Sequence, residues 1–330
     1  MLLAQQYLQS GAWDQALALC EARSDLDDPS VRLCQAVARF VGGETEQALD
    51  ELARLREAFP DHLSARAIQA QMLARSGNRS AALSPLLELC ALYPDYPGAC
   101  GLLASLVMPG PSYLEVLARL HERLKPRSYL EIGVESGKSL ALARHSTLSI
   151  GIDPNPHVPS QALPPGAQLF AETSDAFFAA RTRESLLGTR RVDLSFIDGL
   201  HRFENALADF AHCERWAHAD ATIVLHDCLP VLERTTSRER ATNFWVGDTW
   251  KVVLALSTHR PDLRIRTILC PPSGLIVVRR LNPGSTAISQ NLAGIVAEFA
   301  GREWQHSAGQ APAEFQLVSN DERGWLDALG

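Results

Sequence analysis

Several features that mark specialised protein classes are missing from this chain. No segment approaches the ~20 consecutive apolar residues of a membrane span, and the N-terminus has no basic stretch ahead of an apolar run. Neither a membrane anchor nor a secretory signal is expected. Positive charge is not in excess: 31 Lys and Arg face 38 Asp and Glu, a net charge of -7, so the basic footprint of a nucleic-acid binder is absent. Seven cysteines include no CxxC pair and no zinc-finger spacing, and their odd number fits a disulfide framework poorly. The expectation is a reducing, cytoplasmic setting. The GxGxxG fingerprint of a dinucleotide site is missing as well.

What is present is ample core material. With 330 residues, 46% hydrophobic and 21% charged, two folded domains are expected. Residues 1–107 are rich in Ala and Leu at helical spacing, as in EQALDELARLREAF and AALSPLLELCALY. They also repeat. Gly43 and Gly77, Ala48 and Ala82, and Pro60 and Pro94 are each 34 residues apart, and Gly11 to Gly43 and Ala16 to Ala48 give a looser copy at 32. Glycine at the turn, a small residue where helices cross and proline after the second helix resemble the tetratricopeptide repeat, over residues 2–107. All of these positions are structural, so two readings stay open: a packing scaffold, or a surface for a protein partner or for self-association. MPGPS, residues 108–112, reads as the linker.

From residue 113 to 281 the pattern alternates between strand and helix. Strands are predicted at RSYLEIG, LSIGID, AQLFAE, VDLSFID, ATIVLHD, LRIRTIL and GLIVVRR, and helices at SYLEVLARLHERL, SLALARH, DAFFAARTRESLL, FENALADFAHCERWA and TWKVVLALSTH. Seven strands interleaved with helices predict a doubly wound α/β, Rossmann-like sheet, its last strand entering from PPSG as a hairpin and giving one reversed edge strand. Residues 282–330 read as one helix, near 287–299, and a tail without chemistry.

In such sheets ligands collect at the carboxyl ends of strands. VDLSFID and ATIVLHD deliver Asp198, His201, His226 and Asp227 to one edge. The first turn reads Glu131, Ile132, Gly133, Val134, Glu135, Ser136, Gly137. Glu135 stands where pyrophosphate would need a glycine, which disfavours NAD and suits S-adenosylmethionine, a cofactor with a positive sulfonium and no phosphate. Asp153, ending the next strand, is placed to accept from ribose hydroxyls. The plainer alternative is an ordinary strand-to-helix turn with Asp153 capping its own loop.

EIGVESGKS, IGIDPNP, SDAFF, FIDGLHRFENALADF and LHD in this order resemble the class I methyltransferases, and among them the EIGxxxGxS, FIDGxH, HD subgroup that includes sugar O-methyltransferases. The resemblance runs from about residue 113 to 280. It implies that Glu131, Gly133 and Gly137 hold the methionine part of the cofactor, Asp153 the ribose, and Ser174 and Asp175 the adenine, although the last two equally suit a helix N-cap. It also implies Mg²⁺ on Asp198 and Asp227 with His201 as general base. An unperturbed imidazole, pKa ~6.5, suits that task near neutral pH. Cys228 stands where catechol-type relatives carry an Asn ligand, and sulfur suits Mg²⁺ badly. Other roles stay open: Asp198 capping the helix near Arg202, His201 as a loop histidine, His226 packing or hydrogen-bonding beneath the site, and Asp209 as a helix-surface or sheet-edge contact. Gly247, Asp248, Trp250 and Lys251 read as part of an acceptor lid, or as a helix start capped by Asp248. The expected activity is S-adenosylmethionine-dependent O-methylation of a small hydroxylated acceptor such as a sugar or glycan. The alternatives are a protein or peptide methyltransferase recruiting substrate through the repeats, and a non-catalytic adaptor.

Overall fold

The computed structural model describes residues 12–20, 28–159, 163–306 and 310–330. The start of the repeat region, including Gly11, lies outside them. Two compact units emerge, Met1–Leu106 with Thr242–Phe244, and Val107–Ala241 with Trp245–Gly330. No helix among the described residues is long and apolar enough to cross a membrane.

In the first unit the described elements are helices: α1 (Trp13–Cys20), α2 (Pro29–Val41), α3 (Thr45–Ala58), α4 (Leu63–Arg75), α5 (Arg79–Leu92) and α6 (Ala99–Val107). Their ends follow from sequence chemistry. Asp28 accepts from the Ser30 N–H with Pro29 in the first helical turn, and Asn78 accepts from the Ala81 N–H. Gly43 and Gly77 turn the chain after α2 and α4 with φ of +90° and +85°, a region open to residues without a Cβ. Ala48 and Ala82 are fully buried, α2 packs on α3 and α4 on α5, so the 34-residue period corresponds to helix pairs. Leu33, Val37, Leu52, Leu55, Ile68 and Met72 share one core. Cys34 is disulfide-bonded, against the expectation drawn from the cysteine count, whereas Cys90, Cys100, Cys213, Cys228 and Cys270 are buried free thiols.

The second unit opens with α7 (Tyr113–Leu124), held by a capping box in which Ser112 and Glu115 satisfy each other's backbone N–H. There follow β1 (Ser128–Ile132), β2 (Leu148–Ile152), β3 (Ala167–Phe170), α8 (Ser174–Ala180), α9 (Arg183–Leu187), β4 (Val192–Ile197), α10 (Phe203–Trp216) and β5 (Ala217–His226). Then come α11 (Lys251–His259), β6 (Arg264–Ile268), β7 (Leu275–Arg279), α12 (Leu292–Phe299), β8 (Leu317–Val318) and α13 (Glu322–Leu329). The sheet has eight strands, in the order β3-β2-β1-β4-β5-β7-β6-β8. The expected seven omitted β8, a two-residue strand pairing parallel with β6, too short to leave a periodic signal. The hairpin from PPSG forms as expected, yet the reversed strand β7 sits inside the sheet between β5 and β6 and not at its edge.

Two helices differ from expectation. SLALARH gives only a 3-10 turn at Leu140–Leu142, and 174–187 divides at Arg181 and Thr182, where the backbone is extended and Thr182 caps α9. Among the described residues beyond 281, α13 packs against β6, and Asn282 donates its N–H to Glu214 Oε1.

Glu214 is half of a buried ion pair. Arg260, at the end of α11, meets it in a bidentate contact, Nη1 to Oε2 at 2.6 Å and Nη2 to Oε1 at 2.9 Å, with both residues 3% exposed. Removing one partner of such a pair leaves a buried charge uncompensated, at a cost of about 3–5 kcal/mol. We expect Arg260→Met to lose that much stability in urea unfolding, and the double variant Arg260→Met/Glu214→Met to regain most of it.

Candidate active site

The strand ends bring the two motif segments into contact. β1 pairs with β4, and β4 with β5, all parallel, so Gly133, Asp198 and Asp227 follow three neighbouring strands. The Asp198 N–H donates to the Ile132 carbonyl at 2.8 Å. A Cβ on Gly133 would lie 2.0 Å from the Asp198 carbonyl oxygen, and its φ is +86°. Glycine is therefore demanded twice over, by approach and by conformation. Gly137 has φ +78° and packs against Val158, where a Cβ would come within 2.6 Å.

The acid after β2 ties this turn down. Asp153 accepts from the Glu135 N–H at 2.8 Å through Oδ2 and from the Asn155 N–H at 2.7 Å through Oδ1. Each oxygen keeps a second lone pair for a ligand hydroxyl. Glu135 itself adopts φ +46°, unusual for a residue with a side chain. Glu131 is fully buried, accepting from Tyr129 Oη at 2.6 Å and Ser139 Oγ at 2.8 Å; burial outweighs these bonds and pushes its carboxyl up to about 8. Ser174 is the first residue of α8 and Asp175 lies exposed in its first turn, while the cap is Thr173, accepting from the Ala176 N–H at 3.2 Å.

Around Asp198 and Asp227 two histidines supply the opposing charge. His226 Nδ1 lies 3.1 Å from Asp198 Oδ1 and 3.3 Å from Asp227 Oδ2. Ser273 donates its single hydroxyl proton to Asp227 Oδ1 at 2.5 Å, so its oxygen accepts from His226 Nε2–H at 3.2 Å. Both ring nitrogens thus carry protons. Burial opposes this charge, but Asp227 and Asp198 outweigh it and hold His226 up at about 10. Tyr113 stacks on the same ring, centroids 4.0 Å apart.

His201 Nε2 is 3.1 Å from Asp227 Oδ2 and 3.5 Å from Asp198 Oδ1. Its Nδ1 faces the Trp245 carbonyl at 3.2 Å, and a carbonyl only accepts, so Nδ1 carries the proton. In the neutral ring the lone pair of Nε2 then points at the carboxylates. Burial again opposes protonation, and Asp227 with Asp198 overrides it, raising His201 to about 9. Asp198 is held well below the usual carboxylate range: burial pushes it up, but His226 and His201 outweigh that. One ligand atom each from Asp198, His201 and Asp227 lie within 4.8 Å of one another, a donor set that fits a divalent cation. Cys228 stays outside it, fully buried and donating from Sγ to the His226 carbonyl at 3.0 Å.

The loop before α11 fastens this cluster. Asp248 Oδ1 accepts from the Phe203 N–H at 2.7 Å and so caps α10, the role offered above to Asp198. The Asp248 N–H in turn donates to the His201 carbonyl, against which Gly247 leaves no room for a Cβ. Asp209 is no helix-surface contact: it is 3% exposed, hydrogen-bonds Ser174, and burial pushes its carboxyl up to about 7. With Thr249, Asp198, His201 and His226 it lines a cavity of about 10 Å³, the size of one water. Asp209 Oδ1 and Thr249 Oγ1 have no hydrogen-bond partner.

The strand-end acids and histidines thus converge, and Glu135 and Asp153 meet each other at the neighbouring turn, whereas Asp175 is exposed on α8, where its charge acts on Asp209. Tyr113, Trp245 and Ser273 were not foreseen. Each comes from a turn or helix start far along the chain, and no local pattern points to the strand ends.

Comparison with known proteins adds an independent line. Residues 130–228 match the family model described as a methyltransferase domain. No protein of curated function matches the sequence. Among solved structures, this chain is similar to an O-methyltransferase from Bacillus cereus in complex with SAH, at 14% identity and a TM-score of 0.39, covering 59% of this chain and 89% of that one. It is also similar to the O-methyltransferase TomG from Streptomyces achromogenes, involved in tomaymycin synthesis and in complex with SAM, at 14% identity, TM-score 0.39, 62% and 99% coverage. SAH-bound PaMTH1 of Podospora anserina gives 14%, 0.38, 61% and 88%.

Proposed function

We propose that this protein is an S-adenosylmethionine-dependent O-methyltransferase acting on a small hydroxylated acceptor, such as a sugar or glycan. The observation that carries the reading is the carboxylate–imidazole cluster at the ends of β4 and β5, directly against a glycine turn that Asp153 anchors. The match of residues 130–228 to a methyltransferase domain supports it.

Bound S-adenosylmethionine supplies an electrophilic methyl group on a positive sulfur. Gly133 and Gly137 shape the turn that holds its methionine part, Asp153 offers acceptor lone pairs to the ribose, and Ser174 and Asp175 flank the adenine, with Glu131 stiffening the turn from below. A hydroxyl is a poor nucleophile until it is deprotonated, so a base must face it. His201 Nε2 takes the acceptor's proton while Nδ1–H stays on the Trp245 carbonyl. A Mg²⁺ ion on Asp198 and Asp227 would lower the pKa of the acceptor hydroxyl and orient it. A second reading, favoured by the 4.8 Å grouping, makes His201 a third ligand of that ion. The helical unit, with Gly43 and Gly77 one period apart, supports a tetratricopeptide-like surface for a protein partner or for self-association. We place the protein in the cytoplasm.

Calorimetry provides the first test: S-adenosylmethionine binds, NAD does not, and Asp153→Ala weakens the former by about tenfold or more, since two ribose contacts go. Tight binding of NAD alone overturns the reading. Chelation and Asp198→Asn should each reduce methyl transfer by about a hundredfold or more, in the range of mutations around metal sites; full turnover in both removes the metal from the mechanism.

His201 works as a base only after losing its proton, and Asp227 and Asp198 hold that proton to about 9. In chelated enzyme kcat/KM therefore rises with pH up to about 9, and added Mg²⁺ moves the rise to lower pH because the cation takes over the carboxylates. His201→Ala should lower turnover by about 10²–10⁴-fold, the usual share of a general base. Unchanged Mg²⁺ affinity in that variant identifies a base; lost affinity identifies a ligand.

A further inference from the structure

The turn entering β7, residues 270–274, lies beyond the stretch that matches the methyltransferase domain, and the methyl-transfer chemistry gives it no task. It is nonetheless fastened to the candidate site at several points. The Pro271 carbonyl accepts the Tyr113 N–H at 2.9 Å, at the start of α7, and the Tyr113 ring stacks on His226. The Ser273 carbonyl accepts the Leu229 N–H at 2.7 Å, just past Asp227. Gly274, with φ +72°, packs so closely that a Cβ there would lie 2.7 Å from the Leu229 Cβ, and its N–H donates to the Cys270 carbonyl at 2.8 Å. The turn is thereby clamped against the chain that carries Asp227.

What the clamp holds in place is the Ser273 side chain. It is fully buried, and its hydroxyl donates to Asp227 Oδ1 at 2.5 Å while accepting from His226 Nε2–H at 3.2 Å. Asp227 itself sits at φ +54°, a left-handed conformation that a short polar side chain tolerates. The result is a carboxylate with two unequal oxygens. Oδ1 is turned into the buried wall at Ser273, whereas Oδ2 faces His201 Nε2 at 3.1 Å and His226 Nδ1 at 3.3 Å, on the side of the cluster where Asp198 stands. A cation shared with Asp198 therefore meets Asp227 through Oδ2. To grip it with both oxygens, Oδ1 would have to leave Ser273 and strand a buried donor, at the loss of one charge-assisted hydrogen bond.

Divalent ions differ in how they respond to that restriction. Ca²⁺ gathers about six to eight oxygens in a flexible shell and takes carboxylates by one oxygen or by both. Mg²⁺ demands a near-ideal octahedron, whose right angles the narrow bite of a two-oxygen carboxylate does not fit. We infer that Ser273 sets ion selectivity at this site: by occupying Oδ1 it restricts Asp227 to a single-oxygen ligand and shifts preference from Ca²⁺ toward Mg²⁺. Ser273 acts through Asp227 and is a positioning residue. The inference rests on the reading of Asp198 and Asp227 as ion ligands and not on methyl transfer.

The test is calorimetry of the full chain with MgCl₂ and with CaCl₂, in the wild type and in Ser273→Ala. The variant should raise the ratio of Ca²⁺ to Mg²⁺ affinity by about tenfold, the size of one charged hydrogen bond that no longer resists two-oxygen binding. An equal loss for both ions marks a merely structural role and overturns the proposal, as does an unchanged ratio or a wild type that binds neither ion. A second measurement does not depend on how the variant folds: in crystals of the wild type soaked in CaCl₂, Asp227 should meet the ion through Oδ2 alone, with Oδ1 still on Ser273. Two-oxygen contact there overturns the proposal as well. The shifted ratio in a protein that binds no S-adenosylmethionine would retain the role of Ser273 and remove the methyl-transfer reading.

Discussion

Two carboxylates at the ends of neighbouring parallel strands repel, and everything around the candidate site answers that repulsion. Their facing oxygens lie within 4.8 Å of each other, and at an effective dielectric near 20 that limit corresponds to a cost of at least about 3.5 kcal/mol, more than a single neutral hydrogen bond returns. His226 meets it from below as a fixed imidazolium, its two protons assigned by Ser273 and the carboxylates. His201 meets it from above, with a nitrogen that can hold a proton, release one or face a metal ion. One histidine is sealed by Tyr113 and the other lies against Trp245 in a partly open position. This difference in surroundings leaves one imidazolium enclosed and the other partly open to solvent.

The same pair explains why the glycine turn must be where it is. Asp198 can follow β4 only if its backbone passes over Gly133, and Gly133 can yield that space only without a Cβ. The glycine turn and the acid cluster are consequently a single packed object. The hairpin that inserts β7 beside β5 completes it, because the turn entering β7 carries Ser273 to Asp227.

Much of this was legible in the sequence because strand ends are local. FIDGLH and LHD announce themselves as apolar runs stopping at acids, and parallel pairing does the rest. The 34-residue spacing of Gly43 and Gly77 likewise became helix pairs. What escaped was non-local or too short to carry a period. Ser273 sits in a turn of ordinary composition, and β8 has two residues. Asp209 reads as one more polar position on an amphipathic helix, and only the packed structure shows it buried against Ser174. The position of β7 was missed for a related reason: a hairpin specifies its own two strands and not the third strand it joins.

Asp248 carries a lesson for functional mapping. Its carboxylate holds the first turn of α10, its backbone holds the His201 carbonyl, and Lys251 pairs with its remaining oxygen. It touches neither of the two strand-end acids. A survey that ranks positions by lost turnover would nevertheless place it among the reactive groups, since the histidine's backbone hangs from it. Within this protein, loss of activity alone is a poor guide to which side chains meet the substrate.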